Sequence, residues 1–187
     1  MIRQSLRSIL MLAISIPVLH AAPQTASAKT GASVSTGSKV LTASEAAKFL
    51  PSAVFFQGQS ASIQARNSTG IEFSKDAHLL VTLVDTSGYS SAVQQKYQAY
   101  LITETPIDIS GHRLEPGAYG CGFTAGDTFV VMDIGGHDLF SVSSTKDADL
   151  RRPTPLQVLA APSGAGYRLY AGRNYVDLAL AAAAVHP

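Results

Sequence analysis

From Ala53 onward, apolar and polar positions alternate with a period of two, and turn residues interrupt them every few positions. That period is the signature of half-buried β-strands. Strands are predicted at Ser62–Arg66 and Ile71–Ser74, flanking Asn67-Ser-Thr-Gly70 as a hairpin loop, and at Lys96–Glu104, which Pro106 ends. Further strands fall at Ile107–Ile109, Tyr119–Phe123, Thr128–Ile134, His137–Val142, Leu156–Ala160, Tyr167–Tyr170 and Tyr175–Leu180. Leu79–Val84 reads LLVTLV, apolar at both phases of the alternation, as a central strand covered on both faces would be. Many short strands between glycine and proline turns predict an all-β, antiparallel sandwich, immunoglobulin-like or related, with a small β-barrel as the alternative.

Helical signals are few. Thr42-Ala-Ser-Glu45 fits a capping box opening a short N-terminal helix to about Leu50, which Pro51 stops. The alanine-rich tail LALAAAAVHP favours a helix by composition. Leu114-Glu-Pro-Gly-Ala-Tyr119 places proline and glycine centrally, as a type II turn does. It resembles the tyrosine-bearing corner of immunoglobulin-like sandwiches. No internal repeat or second domain is visible.

The beginning of the chain adds a destination. Arg3 and Arg7 precede the apolar run Ser8–Leu19, which is short for a bilayer span, and Ala26-Ser27-Ala28 offers a small-x-small cleavage site. Residues 1–28 are therefore expected to be a cleaved secretory signal peptide, making the protein exported, periplasmic or extracellular. Residues 29–43 are small and polar and read as a flexible leader, with 44–187 as one β-rich domain. Removing residues 1–28 from the 187 leaves 159, and takes the basic count from 14 to 12 against 13 acidic residues. That balance argues against nucleic acid and anionic membrane surfaces, with membrane contact only through the cleaved segment. It also weakens self-repulsion. Cys121 is the only cysteine, so no internal disulfide forms, and between Gly120 and Gly122 it reads as a small buried hydrophobe.

Three stretches carry candidate chemistry. In Asp133-Ile-Gly-Gly-His-Asp138, Gly135-Gly136 suits a hairpin turn between Phe129–Ile134 and His137–Val142. Counting outward from that turn, Asp133 faces Asp138, Met132 faces Leu139 and Val131 faces Phe140. Facing carboxylates repel, so Asp133 and Asp138 are a candidate weak calcium site; solvent or a nearby cation would serve as well. His137 projects to the other face.

Leu83-Val-Asp85-Thr-Ser-Gly88 is similar to the hydrophobic–hydrophobic–Asp–Thr/Ser–Gly signature of aspartic proteases, where two aspartates share a proton. Ser87 is an insertion relative to that signature, and Val131-Met-Asp133-Ile-Gly135 is a poor second copy. The resemblance implies Asp85, with Asp133 or a second chain's aspartate, as candidate catalytic groups. Turn chemistry alone explains the same residues.

Tyr167–Tyr175 reads as a hairpin with Gly172-Arg173 at its tip. Tyr170 then faces Tyr175, Arg168 faces Asp177, and Leu169/Val176 and Tyr167/Leu178 lie on the core side. Arg168, Tyr170, a mobile Arg173 and Tyr175 form the candidate binding surface, because tyrosine and arginine dominate such surfaces. An ordinary cross-strand ion pair explains Arg168 and Asp177 equally. His78, His112 and His186 fit no motif, and no zinc, redox, serine-hydrolase or phosphate-loop pattern occurs. The sequence thus predicts an exported, non-enzymatic β-rich binding or structural module without cofactor, its partner a small molecule, glycan or protein. The alternatives are an aspartate-dependent hydrolase and a small barrel carrying an apolar ligand.

Overall fold

The computed structural model describes residues 37–182. In chain order the strands are β1 (Lys39–Leu41), β2 (Ala53–Phe56), β3 (Gln59–Ser74), β4 (Ala77–Val84), β5 (Ala99–Thr103), β6 (Ile107–Ile109) and β7 (His112–Leu114). They continue as β8 (Gly117–Thr124), β9 (Thr128–Met132), β10 (Asp138–Ser143), β11 (Thr145–Lys146), β12 (Gln157–Ala160), β13 (Tyr167–Ala171) and β14 (Asn174–Leu180). Two short helices, α1 (Ala43–Ala46) and α2 (Ser91–Lys96), interrupt them. One antiparallel sheet runs β1-β3-β4-β5-β8-β9-β10, with β2 added to β3; the other runs β12-β13-β14-β6-β7, with β11 added to β14. The protein is an all-β sandwich. Both sheets end in open edges, so the barrel alternative is not formed and a barrel-held apolar ligand loses its container.

The core lies between the sheets. Ile71, Leu79, Val81, Leu101, Cys121, Phe129 and Val131 meet Ile107, Ile109, Val158, Leu169, Val176 and Leu178 there. A second layer covers the outer face of the larger sheet, where Val54, Phe56, Tyr89, Tyr97, Tyr100, Val130 and Met132 cluster. This double cover is why LLVTLV is apolar at both phases: Leu79 and Val81 point inward while Leu80 and Val84 are buried outward. Glycine makes the outer layer fit. A Cβ on Gly120 would sit 2.9 Å from Phe56 Cζ and nearer still to Cε2, and one on Gly122 would overlap the Lys96 carbonyl. Gly-Cys-Gly therefore clears one face of β8 for the β2 ring and the end of α2, while Cys121 fills the other.

The capping box forms, with Glu45 N donating to Thr42 Oγ1 and Thr42 N to Glu45 Oε2. Its regular helix ends at Ala46, short of Leu50. The leader assignment of 29–43 is corrected from Lys39 on: Val40 and Leu41 add an edge strand to Ile71 and Gly70, and Leu41 is buried. Asn67–Gly70 is no hairpin loop but the interior of β3. Its polar atoms are satisfied there, because Ser68 and Thr82 hydroxyls bond at 2.8 Å and Thr69 Oγ1 accepts from Val158 N. Residues 64–67 instead bulge, since Ile63 pairs Val84 and Ser68 already pairs Thr82. Lys96–Glu104 is divided between the end of α2 and β5. Gly117 begins β8 without positive φ, so no type II turn forms, yet Tyr119 Oη donates to Glu115 O at 2.9 Å as a tyrosine corner requires. Leu178–Leu180 belongs to β14, because pairing to Ile107–Ile109 overrides alanine-rich propensity. The signal-peptide assignment, residues 29–36 of the leader and the tail beyond 182 lie outside the described residues.

Candidate functional site

The Tyr167–Tyr175 hairpin has the expected register, with Tyr170 opposite Tyr175, Arg168 opposite Asp177 and Leu169 opposite Val176. Positive φ at Gly172 turns its tip. Arg168 lies 4.1 Å over the Tyr175 ring and bonds Asp177 at 3.3 Å. The rest of the surface is closed rather than presented. Tyr170 is only 2% exposed and donates to Asp147 Oδ2 at 2.9 Å; burial is the largest cause raising its pKa. Arg173 is not a mobile tip residue. Its Nη1 donates to the carbonyls of Asp147, Ala148 and Leu150, at 3.2, 2.8 and 2.8 Å. Arg173 thus straps the 147–150 segment across the hairpin, leaving Arg168 and Tyr175 as its half-buried rim.

The facing of Asp133 and Asp138 is corrected. Phe140 pairs Val131 as counted, but Asp138 pairs Met132, with Leu139 bulged between. The turn tightens because Asp133 accepts from His137 N at 2.9 Å and meets His137 Nδ1 at 2.9 Å, so His137 joins Asp133 instead of facing away. These bonds, the backbone one first, hold the Asp133 carboxyl below its ordinary pKa. Asp138 turns to Lys96. The two carboxylates are thus not cross-strand partners, and each has its own: His137 for Asp133 and Lys96 for Asp138. Among the described residues no three His, Cys, Asp or Glu side chains group as metal ligands.

Asp85 ends β4 as a turn former, its Oδ1 accepting from Ser87 N at 3.0 Å, and that bond lowers its pKa. Asp85 follows β4 and Asp133 follows β9, and β5 and β8 lie between those strands. At ~4.8 Å per step the lateral separation is about 14 Å, far beyond the contact needed to share a proton. Cys121 is fully buried and its thiol is pushed up to about 12 by desolvation, an inert core group. His78 is buried under Phe49 and meets Glu104 at 2.7 Å.

What the topology does assemble is a cleft of about 420 Å³ at one side of the sandwich. Val40–Ala43, the end of the β3 bulge at Arg66–Thr69, and residues 154–159 line it. Leu41, Leu156 and Val158 give it a buried apolar floor, and Arg66 stands exposed at its rim with no partner among the described residues. One wall is the edge of β12. Ala161 N bonds Gly166 O, so residues 159 and 157 make the ladder bonds to β13 and Val158 and Ala160 direct theirs outward. Thr69 takes the Val158 N–H, while the Val158 carbonyl faces outward with no partner among the described residues. Chain order hides this site, because its walls come from three segments distant in sequence. Its one local signal is the run Arg66-Asn-Ser-Thr-Gly70, polar residues inside a strand.

The fold and site define a β-sandwich with a strand-edged cleft. Comparison with family models, with curated proteins and with solved structures finds no match to the chain.

Proposed function

We propose that the protein is an exported, non-enzymatic binding module whose ligand site is the cleft between β1, the β3 bulge and β12. The reading rests on one observation: Arg66, without a partner among the described residues, overhangs an apolar floor beside outward-facing strand groups. Those features suit an extended polypeptide segment that carries an apolar side chain and a carboxylate. Backbone groups would add to the β12 edge, the apolar side chain would fill the floor, and Arg66 would take the carboxylate. The cleft's volume is that of an ordinary ligand site. A hydrolase is less well supported, since Asp85 and Asp133 lie apart and each serves a turn.

Calorimetric titration with an acetylated pentapeptide alternating valine and aspartate tests this. Binding should weaken about two- to fivefold for the asparagine counterpart and for the Arg66→Met protein, the loss of one exposed charged pairing. Equal binding of both peptides by both proteins, or no heat at millimolar peptide, would overturn it.

A further inference from the structure

The edges of the two sheets are not equally protected. β1 and β7 are three residues long. The β12 edge gives an N–H to Thr69, and β2 carbonyls at Phe55 and Phe56 accept the hydroxyls of Tyr100 and Tyr89. β10 differs. It is a six-residue terminal strand of the larger sheet, and its segment 139–144, Leu-Phe-Ser-Val-Ser-Ser, holds no charge and no proline. Charges, prolines and short length are the usual defences of an edge. Here the defences, Asp138 with its Lys96 partner and the Leu139 bulge, both lie at one end.

The register fixes what the edge offers. Ser144 N donates to Asp127 O at 2.7 Å, and Val142 and Phe140 stand opposite Phe129 and Val131. Hydrogen-bonded pairs alternate along an antiparallel ladder, so Val142 and Phe140 spend their backbone groups on β9. The N–H and C=O of Ser141 and Ser143 therefore face outward, and no described residue bonds them. Side chains alternate too: Phe140 and Val142 point to the core, while Ser141 and Ser143 are exposed on the outer face.

We infer that β10 pairs antiparallel with β10 of a second copy of this chain, Ser141 of each opposite Ser143 of the other. This register is self-complementary about a twofold axis at Val142, as an isologous dimer demands. It joins the outward groups of both serines, sets valine against valine on the inner face and serine against serine on the outer, and stops before the bulge. No like charges meet. Charge is near balance, 14 basic against 13 acidic residues in the full chain and 12 against 13 without residues 1–28, which leaves little long-range repulsion between copies. The contact is small and yields a reversible dimer.

Sedimentation equilibrium of the purified protein from about 5 to 500 µM is the test, with the mass expected to rise from monomer toward twice that value. Ser141→Pro removes only an outward N–H, a change edge strands tolerate. It should hold the mass at monomer, whereas Ala160→Pro on the other edge should leave the dimer intact. A Ser141→Cys protein mixed with a Ser143→Cys protein should form a disulfide-linked dimer that neither forms alone, since hydrogen-bonded partners lie ~5.5 Å apart at Cα, within disulfide reach. Cys121 is buried and does not compete. A monomeric mass throughout, a dimer that Ser141→Pro leaves unchanged, or cross-linking of Ser141→Cys with itself alone would overturn the inference. Should Ser141→Pro unfold, the cysteine pairing decides.

Discussion

Gly120→Ala offers a test of the packing that closes the outer layer. Phe56 is fully buried, stacks on Tyr97 with ring centroids 3.8 Å apart, and meets Tyr89 edge-on at 6.2 Å. A methyl at Gly120 would lie 2.9 Å from Phe56 Cζ and closer to Cε2. Carbon contacts are optimal at ~3.5–4.0 Å, so the ring must move, and it is held by Tyr97 behind it. Overpacking of this kind costs ~1–3 kcal/mol. Alanine also restricts the unfolded chain, which returns ~0.4–1 kcal/mol, leaving a net loss of about 1–2 kcal/mol. Phe56→Ala alone should cost ~3–5 kcal/mol as a large-to-small core change. In the Phe56→Ala background the clash is gone, so Gly120→Ala should be neutral or slightly stabilising. Urea unfolding of the four proteins gives the coupling directly, expected near 1.5–3 kcal/mol between these contacting positions. A Gly120→Ala cost that is the same in both backgrounds would refute the argument that the glycine exists to admit the ring.

Arg173→Ala should release the 147–150 strap and cost about 2 kcal/mol, the worth of charged hydrogen bonds to carbonyls; trypsin should then cut the native protein faster at Arg151–Arg152, and an unchanged cleavage rate would count against the strap. Raising the pH should weaken the fold. Burial lifts the Cys121 thiol from 9.0 to about 12 and raises Tyr97 and Tyr100 as well. The unfolded chain gives up these protons first, so the stabilisation is whole below pH 9 and is lost as pH climbs toward 12; melting temperatures that stay level from pH 8 to 11 would contradict this. Native Cys121 should resist thiol reagents at pH 8 and react only on unfolding. Calcium should leave the melting temperature of the parent and of Asp133→Asn unchanged, because Asp133 and Asp138 are not paired; a calcium-dependent rise lost in Asp133→Asn would restore the cation site.

Where periodicity was strong, the sequence was a good guide. LLVTLV lies inside the larger sheet between β3 and β5, and the Tyr167–Leu178 hairpin has the register counted from its glycine turn. Sequence reasoning failed where a tertiary partner decided the outcome. Asn67–Gly70 looks like a loop until Thr82 and Val158 are brought beside it to satisfy its hydroxyls. Asp133 and Asp138 look opposed until a one-residue bulge at Leu139 shifts the register. Arg173 and Tyr170 look like a binding surface because the segment that covers them, 147–150, precedes them by more than twenty positions and carries no periodic signal. The cleft was illegible for the same reason: Leu41, Arg66 and Val158 are unremarkable singly, and only the crossing of three segments gives them a common space.

The most direct test of the binding account is a nitrogen-15 chemical-shift titration of the protein with the valine–aspartate pentapeptide. Saturable shifts confined to residues 40–43, 66–69 and 154–160 are expected, with saturation moved to higher peptide concentration in Arg66→Met. Shifts centred on Arg168 and Tyr175, or none at millimolar peptide, would contradict it.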